Sequence, residues 1–560
     1  MLDIAAQNAP SPAPIRPPRL AVLQLRGLGH FLPDLVAGLS ASEQVEVRCF
    51  TVTGPEVMAA ALAWTDDPAR DALWFEFCWP PFPELIACTE FGGRRVIVRV
   101  HRIEAYGSPH AARSPWGKVT DVIAVSQDMA ARLLLVAPSI AARTRIHVIH
   151  NGLDLSRHQL VPPPADPFRI GWCGWFSLHK NPNLALEILS RLRSTDPRWT
   201  LHMAIKPSEP VAQDSFMHLA ERLSLSSAIH ITESISPQAM ADWHARNAVL
   251  LSTSVYESFG YAIAEAAAAG CDLAVLDYRG AEEFWPAEVR FASVDQAVAL
   301  IQAARHGRWR SLIEQRFALE RQVNRVLAVL AAKPAAAPRP QLIPLRHGTW
   351  EGRFPLTNPS DHIQRGMLLS GGFYEADMLE DVRSRLRPGG LFVDVGANIG
   401  NHALFAAAIC GARVLAFEPS PILAAHCAAT LAANGLSAAL DLRRAGLGAA
   451  AGSAKLMPGP AENAGQTQLN LTEAGDVPVL RLDDVLDTAP DVVKIDVEGM
   501  EAAVLRGAQD VLRRHRPALY VEAATEKAHN EVTAILAPLG YRPRTRFNAT
   551  PTWLFTADAA

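Results

Sequence analysis

LFVDVGANIGNHALFAAA, residues 391–408, decides how the back of this chain folds. Its apolar start has the length of a buried strand and ends at an acid, Asp394. Gly396 and Gly400 bracket a tight turn, and an alanine-rich helix pattern follows. The spacing D-x-G-x-x-x-G, with Asn398 between the glycines, differs from the dinucleotide pattern G-x-G-x-x-G. It lets the backbone come close to the methionine part of S-adenosylmethionine. The next strand, RVLAFE (413–418), ends at Glu418, 18 residues beyond Gly400. An acid at that strand end is placed to accept hydrogen bonds from both ribose hydroxyls.

Working outward, the same rhythm of short apolar run and helix pattern fills the chain. LAVLQL (20–25), ALWFEF (72–77), RVIVRV (95–100), DVIAVS (121–126) and RIHVIH (145–150) look like buried strands. So do FRIGWCG (168–174), TLHMAI (200–205), IHIT (229–232), AVLLST (248–253) and LAVLD (273–277), and later DVVKID (491–496) and ALYVEA (518–523). Near-continuous apolar strands between helices predict an α/β protein with parallel sheets covered on both faces. Ligands in such sheets bind at the carboxyl ends of strands. Two proline-rich stretches, VPPPADP (161–167) and KPAAAPRP (333–340), divide the chain. The expected plan is a disordered tail at 1–18, domains at 19–160 and 168–332, a linker at 333–340 and a domain at 341–560.

In the middle domain, AVLLST leads into Ser254-Val-Tyr-Glu257-Ser-Phe259-Gly260-Tyr-Ala-Ile-Ala-Glu265. Gly260 allows a tight turn into a helix whose free N–H groups form an anion site. Carboxylates at 257 and 265 beside a phosphate need other partners, and sugar and ribose hydroxyls are suitable ones. Upstream, GWCGWFSLHKNPNL places Lys180 in a loop after a strand, where it can neutralise a diphosphate leaving group without a metal. Asn181 or Asn183 is the expected cap of the following helix. In the first domain a turn RGLGH (26–30) contains Gly29 but is not a dinucleotide fingerprint, and RVIVRV delivers His101 and Arg102 at a strand end.

HVIHNGLDLSRH (147–158), the HKNPNL loop and the E-x7-E segment resemble the family 4 glycosyltransferases of the GT-B fold. The resemblance covers about residues 19–330. It implies two Rossmann-like domains, a nucleotide diphosphate sugar held mainly by the second, no metal, and transfer with retention at the anomeric carbon. It places Glu257 near the sugar with Phe259 and Gly260 beside it, Glu265 at the ribose, Lys180 at the diphosphate, Gly29 across the cleft and His101 at the reacting sugar. Glu104 and Tyr106 are expected acceptor contacts. The family usually carries Arg five residues before the lysine; this chain has Trp175, and Lys206 or His179 is the expected substitute for the charge.

Behind the linker, GGFYEADML (371–379), DVGANIGNH, FEPSP, RLDDVL and KIDVEGMEAAVLRGA occur in the order seen in the FkbM family of S-adenosylmethionine-dependent methyltransferases, and the match covers about 360–545. The resemblance implies a Rossmann-like class I methyltransferase domain that methylates hydroxyl oxygens, often on sugars or polyketides. Asp394, Gly396, Asn398, Gly400 and Glu418 are the expected cofactor contacts. Asp496 and Glu498, at a pocket mouth, are candidates for proton removal or substrate orientation. Glu375 borders the pocket, and His402 lies on the helix after the glycine turn.

Composition limits the alternatives. The chain has 560 residues, 53 Lys+Arg and 57 Asp+Glu, for a formal charge of −4, which argues against a nucleic-acid-coating protein. The Arg-rich stretch from Arg305 to Arg325 is expected to be one amphipathic helix with a solvated face. Seven scattered cysteines without a CxxC pair or zinc spacing fit a reducing cytoplasm. No secretory signal or membrane span is expected; peripheral contact through an amphipathic surface near a lipid-linked acceptor is the remaining route to a membrane. The combined expectation is a bifunctional enzyme of surface glycan or glycolipid synthesis: sugar transfer from a nucleotide donor, then O-methylation of a sugar hydroxyl. Its rivals are a methyltransferase carrying a non-catalytic glycan-binding module, and a methyltransferase of glycosylated natural products.

Overall fold

The computed structural model describes residues 16–24, 32–78, 81–106, 109–160, 162–207, 209–332, 341–457, 468–470 and 475–558. Gly29, the 333–340 spacer and residues 1–15 of the expected tail lie outside them. Arg16 already belongs to the fold: its guanidinium pairs with the buried Asp71, at 2.8 Å, and with Asp66. The chain forms two compact units, 1–338 and 339–560.

The first unit contains two six-stranded parallel sheets. The first sheet comprises β1 (Arg19–Gln24), β2 (Glu46–Thr51), β3 (Ala72–Glu76), β4 (Arg95–Val100), β5 (Asp121–Ala124) and β6 (Arg145–Val148), in the order β2-β1-β3-β4-β5-β6. The second comprises β7 (Arg169–Phe176), β8 (Thr200–Pro207), β9 (Ile229–Glu233), β10 (Val249–Ser252), β11 (Asp272–Leu276) and β12 (Arg290–Phe291), in the order β12-β11-β10-β7-β8-β9. The apolar strands are central and buried, as β3 and β4 are at every residue. Strand β2 has no apolar run because it is a largely exposed edge.

The Arg-rich stretch is two helices, not one. Arg310–Arg316 ends at Phe317, and Leu319–Ala331 begins two residues later. Between them Ala318 is extended and bridges Leu153: Leu153 N–H donates to Phe317 O at 2.8 Å, and Leu319 N–H to Leu153 O at 3.0 Å. A strand-like pairing with a distant residue outcompetes helix continuation there. The second helix carries Val323, Val326, Leu327 and Val329 into the core of the first sheet, against Leu20, Leu32, Leu35 and Trp74.

The second unit opens with a hairpin, β13 (Gln341–His347) and β14 (Trp350–Leu356). Its main sheet uses β15 (Leu391–Val395), β16 (Arg413–Phe417) and β17 (Leu440–Arg443). A small sheet follows, from β18 (Gly446–Leu447), β19 (Gly452–Met457), β20 (Gln468–Asn470) and β21 (Val477–Leu480). The main sheet continues with β22 (Val492–Ile495), β23 (Ala518–Glu522), β24 (Tyr541–Phe547) and β25 (Thr552–Ala557), in the order β17-β16-β15-β22-β23-β25-β24. Strands β24 and β25 run antiparallel and finish that edge.

The parallel strands of each large sheet reverse their order once: between β1 and β3, between β7 and β10, and between β15 and β22. At such a point successive crossover helices go to opposite faces, and a crevice opens at the carboxyl ends of the two strands.

Candidate active sites

Lys180 follows β7 and Glu257 follows β10, the two strands at the reversal of the second sheet. The lysine side chain crosses Gly174, where a Cβ would stand 3.2 Å from Lys180 Cε, and its ammonium pairs directly with Glu257. Burial would raise the Glu257 carboxyl, but Lys180 outweighs it and keeps the group ionised below its ordinary range. The loops are tied together by backbone: Val255 N–H donates to His179 O at 2.9 Å, and Thr253 Oγ1 donates to Lys180 O at 2.8 Å. Asn181 caps the next helix by position in a left-handed conformation, without a side-chain cap bond, and Pro182 takes the first turn.

Gly260 sits at φ +81° and starts the helix Tyr261–Ala269. Phe259 points the other way: it is fully buried among Tyr261, Phe284, Trp285 and Phe317, so its side chain anchors the turn and leaves only its backbone toward a ligand. Glu265 faces back from that helix, with the buried His244 Nε2 3.6 Å from its carboxylate. Lys206 and Trp175 are register partners on β8 and β7, and the ammonium lies 4.5 Å over the indole ring. The Lys206 ammonium is thus held by the π face of Trp175, the residue five positions before Lys180.

The first sheet contributes from the carboxyl end of β4. His101 is buried, with Nε2 3.5 Å from Glu76, and Glu76 is gripped by Arg99 at 2.5 Å and by Trp74 Nε1 at 2.8 Å. Burial would raise Glu76, but Arg99 and His101 outweigh it and hold it near 2. Glu104 is not an acceptor contact: it is 1% exposed, and its carboxylate accepts the His101 backbone N–H at 3.1 Å. Burial pushes Glu104 up to about 7. Tyr106 stacks on Tyr256, rings 4.8 Å apart and 8° from parallel; Arg102 lies 5.1 Å over the same ring, and His179 stacks at 5.5 Å. Tyr256, next to Glu257, is thus where the carboxyl ends of the two sheets meet. Burial, with Arg102 and Lys180 nearby, lowers His179 to about 4, so its imidazole is neutral at pH 7.

In the second unit the reversal between β15 and β22 opens a cavity of about 530 Å³. Gly396, Asn398, Glu418, Asp496 and Glu498 all line it, as do Glu375 and His402. Gly396 has φ +84°, and a Cβ there would stand 1.9 Å from the carbonyl oxygen of Asp496, so two neighbouring strand ends touch through the missing side chain. Gly400, at φ +85°, packs against Cys427 and starts the helix Asn401–Ala408. Glu418 accepts the N–H groups of Asn398 at 2.8 Å and Ser420 at 2.9 Å. Burial raises its carboxyl to about 7. Asp394 is fully buried and is not part of the cavity wall; neither of its oxygens accepts a hydrogen bond among the described residues, and Lys494 Nζ stands 3.4 Å from Oδ1.

Lys494 and Glu522 complete the site, and neither was singled out in the sequence. Lys494 Nζ donates to Gly396 O at 2.9 Å and lies 3.4 Å from Asp496. Glu522 ends β23 and lies in the cavity wall beside Asp496, which follows the neighbouring strand β22. Its signal was available: like Glu418, it is the acid that closes an apolar strand. Glu501 holds the loop by accepting Val497 N–H at 3.2 Å and Gly499 N–H at 3.0 Å, and His402 Nε2 meets Glu375 at 2.9 Å. Lys494 is the only Lys or Arg in the cavity wall among the described residues, against six carboxyl side chains. That donor set fits a cationic sulfonium with two ribose hydroxyls. No group of His, Cys, Asp and Glu suited to a metal ion occurs among the described residues.

Comparison with known proteins gives two family matches. Residues 158–299 match the model for glycosyl transferases group 1, and residues 394–543 match the methyltransferase FkbM domain. Curated protein sequences gave no significant match. Among solved structures, the chain is similar to HepE from Anabaena in complex with UDP and glucose, at 16% identity and a TM-score of 0.45, over 56% of this chain and 99% of that one. It is also similar to sucrose-phosphate synthase from Thermosynechococcus elongatus, at 16% identity and 0.44, over 56% and 98%. A glycosyltransferase from Rickettsia africae follows at 15% and 0.41, over 56% and 98%.

Proposed function

We propose that this chain, which joins a group 1 glycosyltransferase region to an FkbM methyltransferase domain, is a bifunctional enzyme of surface glycan or glycolipid synthesis. Its front unit transfers a sugar from a nucleotide diphosphate donor with retention, and its back unit O-methylates a sugar hydroxyl using S-adenosylmethionine. The acceptor is a glycan or a lipid-linked sugar, and joining the two activities in one chain raises the effective concentration of the shared substrate. No described helix is long and apolar enough to cross a membrane. Work at the cytoplasmic face, by peripheral contact, is the setting that a lipid-linked acceptor would require.

The observation that carries the reading is the pairing, at a strand-order reversal in each unit, of a glycine-shaped turn with the charged group its ligand needs. In the front unit this is Lys180 against Glu257 beside the Gly260 helix. When a donor diphosphate engages Lys180, Glu257 is released toward the sugar; the lysine and the helix N–H groups then stabilise the departing diphosphate. Lys206 on Trp175 supplies the second cation, which argues for a working donor site over a glycan-binding module. In the back unit Glu418 accepts the ribose hydroxyls, the Gly396–Gly400 turn lies against the amino-acid part, and the carboxylates at 496, 498 and 522 surround the reacting centre. The bound cofactor supplies an electrophilic methyl group; the protein positions the hydroxyl and removes its proton.

Calorimetric titration with S-adenosylmethionine and with a panel of nucleotide diphosphates tests both halves. Lys180→Ala should weaken nucleotide binding roughly 10–100-fold, the worth of one charge-assisted contact, and Glu418→Ala should weaken methyl-donor binding alone. Glu257→Gln should keep the nucleotide and lose sugar transfer. Binding of the methyl donor without any nucleotide would reject the transferase reading of the front unit.

A further inference from the structure

Asp496 and Glu522 stand side by side at the carboxyl ends of neighbouring strands, β22 and β23, just beyond the register pair Ile495 and Val521, and both line the wall of the cavity. Two carboxylates side by side in a cavity wall repel, and a proton on one of them removes that repulsion and lets the two share it as a hydrogen bond. We propose that the Asp496–Glu522 pair is the proton store of the methyl-transfer site: it releases its shared proton when a cationic sulfonium donor fills the cavity, and takes up the proton of the acceptor hydroxyl as the methyl group leaves. This rests on the methyl-donor reading of the back unit.

The surroundings fit that cycle. Lys494, 3% exposed and wedged between Asp394 and Asp496, is the only Lys or Arg of the cavity wall among the described residues. His402 from the helix after the glycine turn, Glu375 and Tyr374 from the preceding segment, and Glu498 and Glu501 from the loop beyond Asp496 are the other titratable groups that face it. Three of these are carboxylates, so the field keeps a proton on the pair until a positive ligand arrives. Burial and then the Asp496 charge push Glu522 up to about 9, while Lys494 outweighs burial at Asp496 and keeps that oxygen ionised. The Asp496 side chain is 37% exposed, which opens a route for the released proton to solvent.

The transfer step then balances. A lone pair of the acceptor oxygen forms the O–C bond. The C–S bond breaks with its electrons kept by sulfur, so the sulfonium becomes a neutral thioether. The hydroxyl proton goes to the doubly ionised pair. One positive charge and one negative charge disappear together, and the pair returns to its resting, singly protonated form.

The test needs no acceptor. Binding of S-adenosylmethionine and of S-adenosylhomocysteine to the full-length protein is measured by calorimetry at pH 7.5, in buffers of different ionisation enthalpy, to count protons. Each count is compared with that of Glu522→Gln, so that the titration of the ligand itself cancels. The wild-type minus variant difference should approach one proton released for the sulfonium and be near zero for the thioether. It should fade as the pH rises through about 9, where the free pair is already ionised. Asp496→Asn should abolish the same release and serves if the first variant misfolds. Equal proton counts for the two ligands would overturn the proposal while leaving the methyl-donor reading intact. Failure of both ligands to bind would overturn that reading and the proposal with it.

Discussion

Glycine 396 shows how much a single residue decides. Its φ of +84° disfavours any side chain, and the Asp496 carbonyl occupies the space a Cβ would need. The backbone term alone costs about 1–2 kcal/mol for an L-residue. Gly396→Ala is therefore expected to lower stability by at least that much and to abolish methyl-donor binding, read by thermal unfolding and titration; unchanged affinity would mean that the turn is not part of the cofactor site. Glu104 makes a different point. Its folded carboxyl is raised, so the neutral form's advantage is complete at pH values below the unfolded value near 4.3 and is lost as pH rises through about 7. Glu104→Gln should therefore be more stable than the wild type above pH 8, by up to about 3 kcal/mol, with the gap closing toward pH 4. A gap that does not change with pH would show that Glu104 titrates normally.

At the scale of elements, the helix Leu319–Ala331 is the informative one. By sequence it follows the second sheet, yet its apolar face fills the core of the first. Gly152 permits this, since a Cβ there would stand 2.7 Å from Leu319 Cα. Val326 is 1% exposed in that core, and Val326→Ala should destabilise the front unit by roughly 1–3 kcal/mol through lost burial and the cavity left behind. The unfolding transition of the back unit should not move. The arginines misled the sequence reading here: Arg305 to Arg325 has helical spacing throughout, and nothing local announces that Ala318 will pair with Leu153. Two of the outer strands were missed for a related reason. Strands β2 and β24 are mostly exposed and charged, so they lack the apolar run that marks a buried strand.

At the scale of the whole molecule, one device is used in both units. A sheet reverses its strand order, the crossover helices part, and the residues just beyond two adjacent strands face each other. Lys180 meets Glu257 in this way, and Gly396 meets Asp496. Each unit has its own cores, so cleavage at a protease site inserted within 333–340 should leave two folded fragments. The fragment from 341 onward should bind S-adenosylmethionine with the affinity of the intact chain, and the front fragment should bind the nucleotide. Loss of cooperative unfolding in either fragment would refute that independence.

The sequence by itself determined the α/β class, the central strands, and the local turns at Gly260, Gly396 and Gly400. Those features depend on near neighbours: apolar runs that must be buried, glycines that must take a positive φ, and acids that end strands. It also brought forward most of the groups that the two sites gather, because a strand end marks a site whatever the rest of the fold does. The tertiary structure decided what sequence distance conceals. It placed Lys206 over Trp175, buried Phe259, set Lys494 between Asp394 and Asp496, and brought Glu522 beside Asp496. Each of these is a contact between separate strands or loops. Its energy depends on burial and on the approach of charges that only the assembled sheets create.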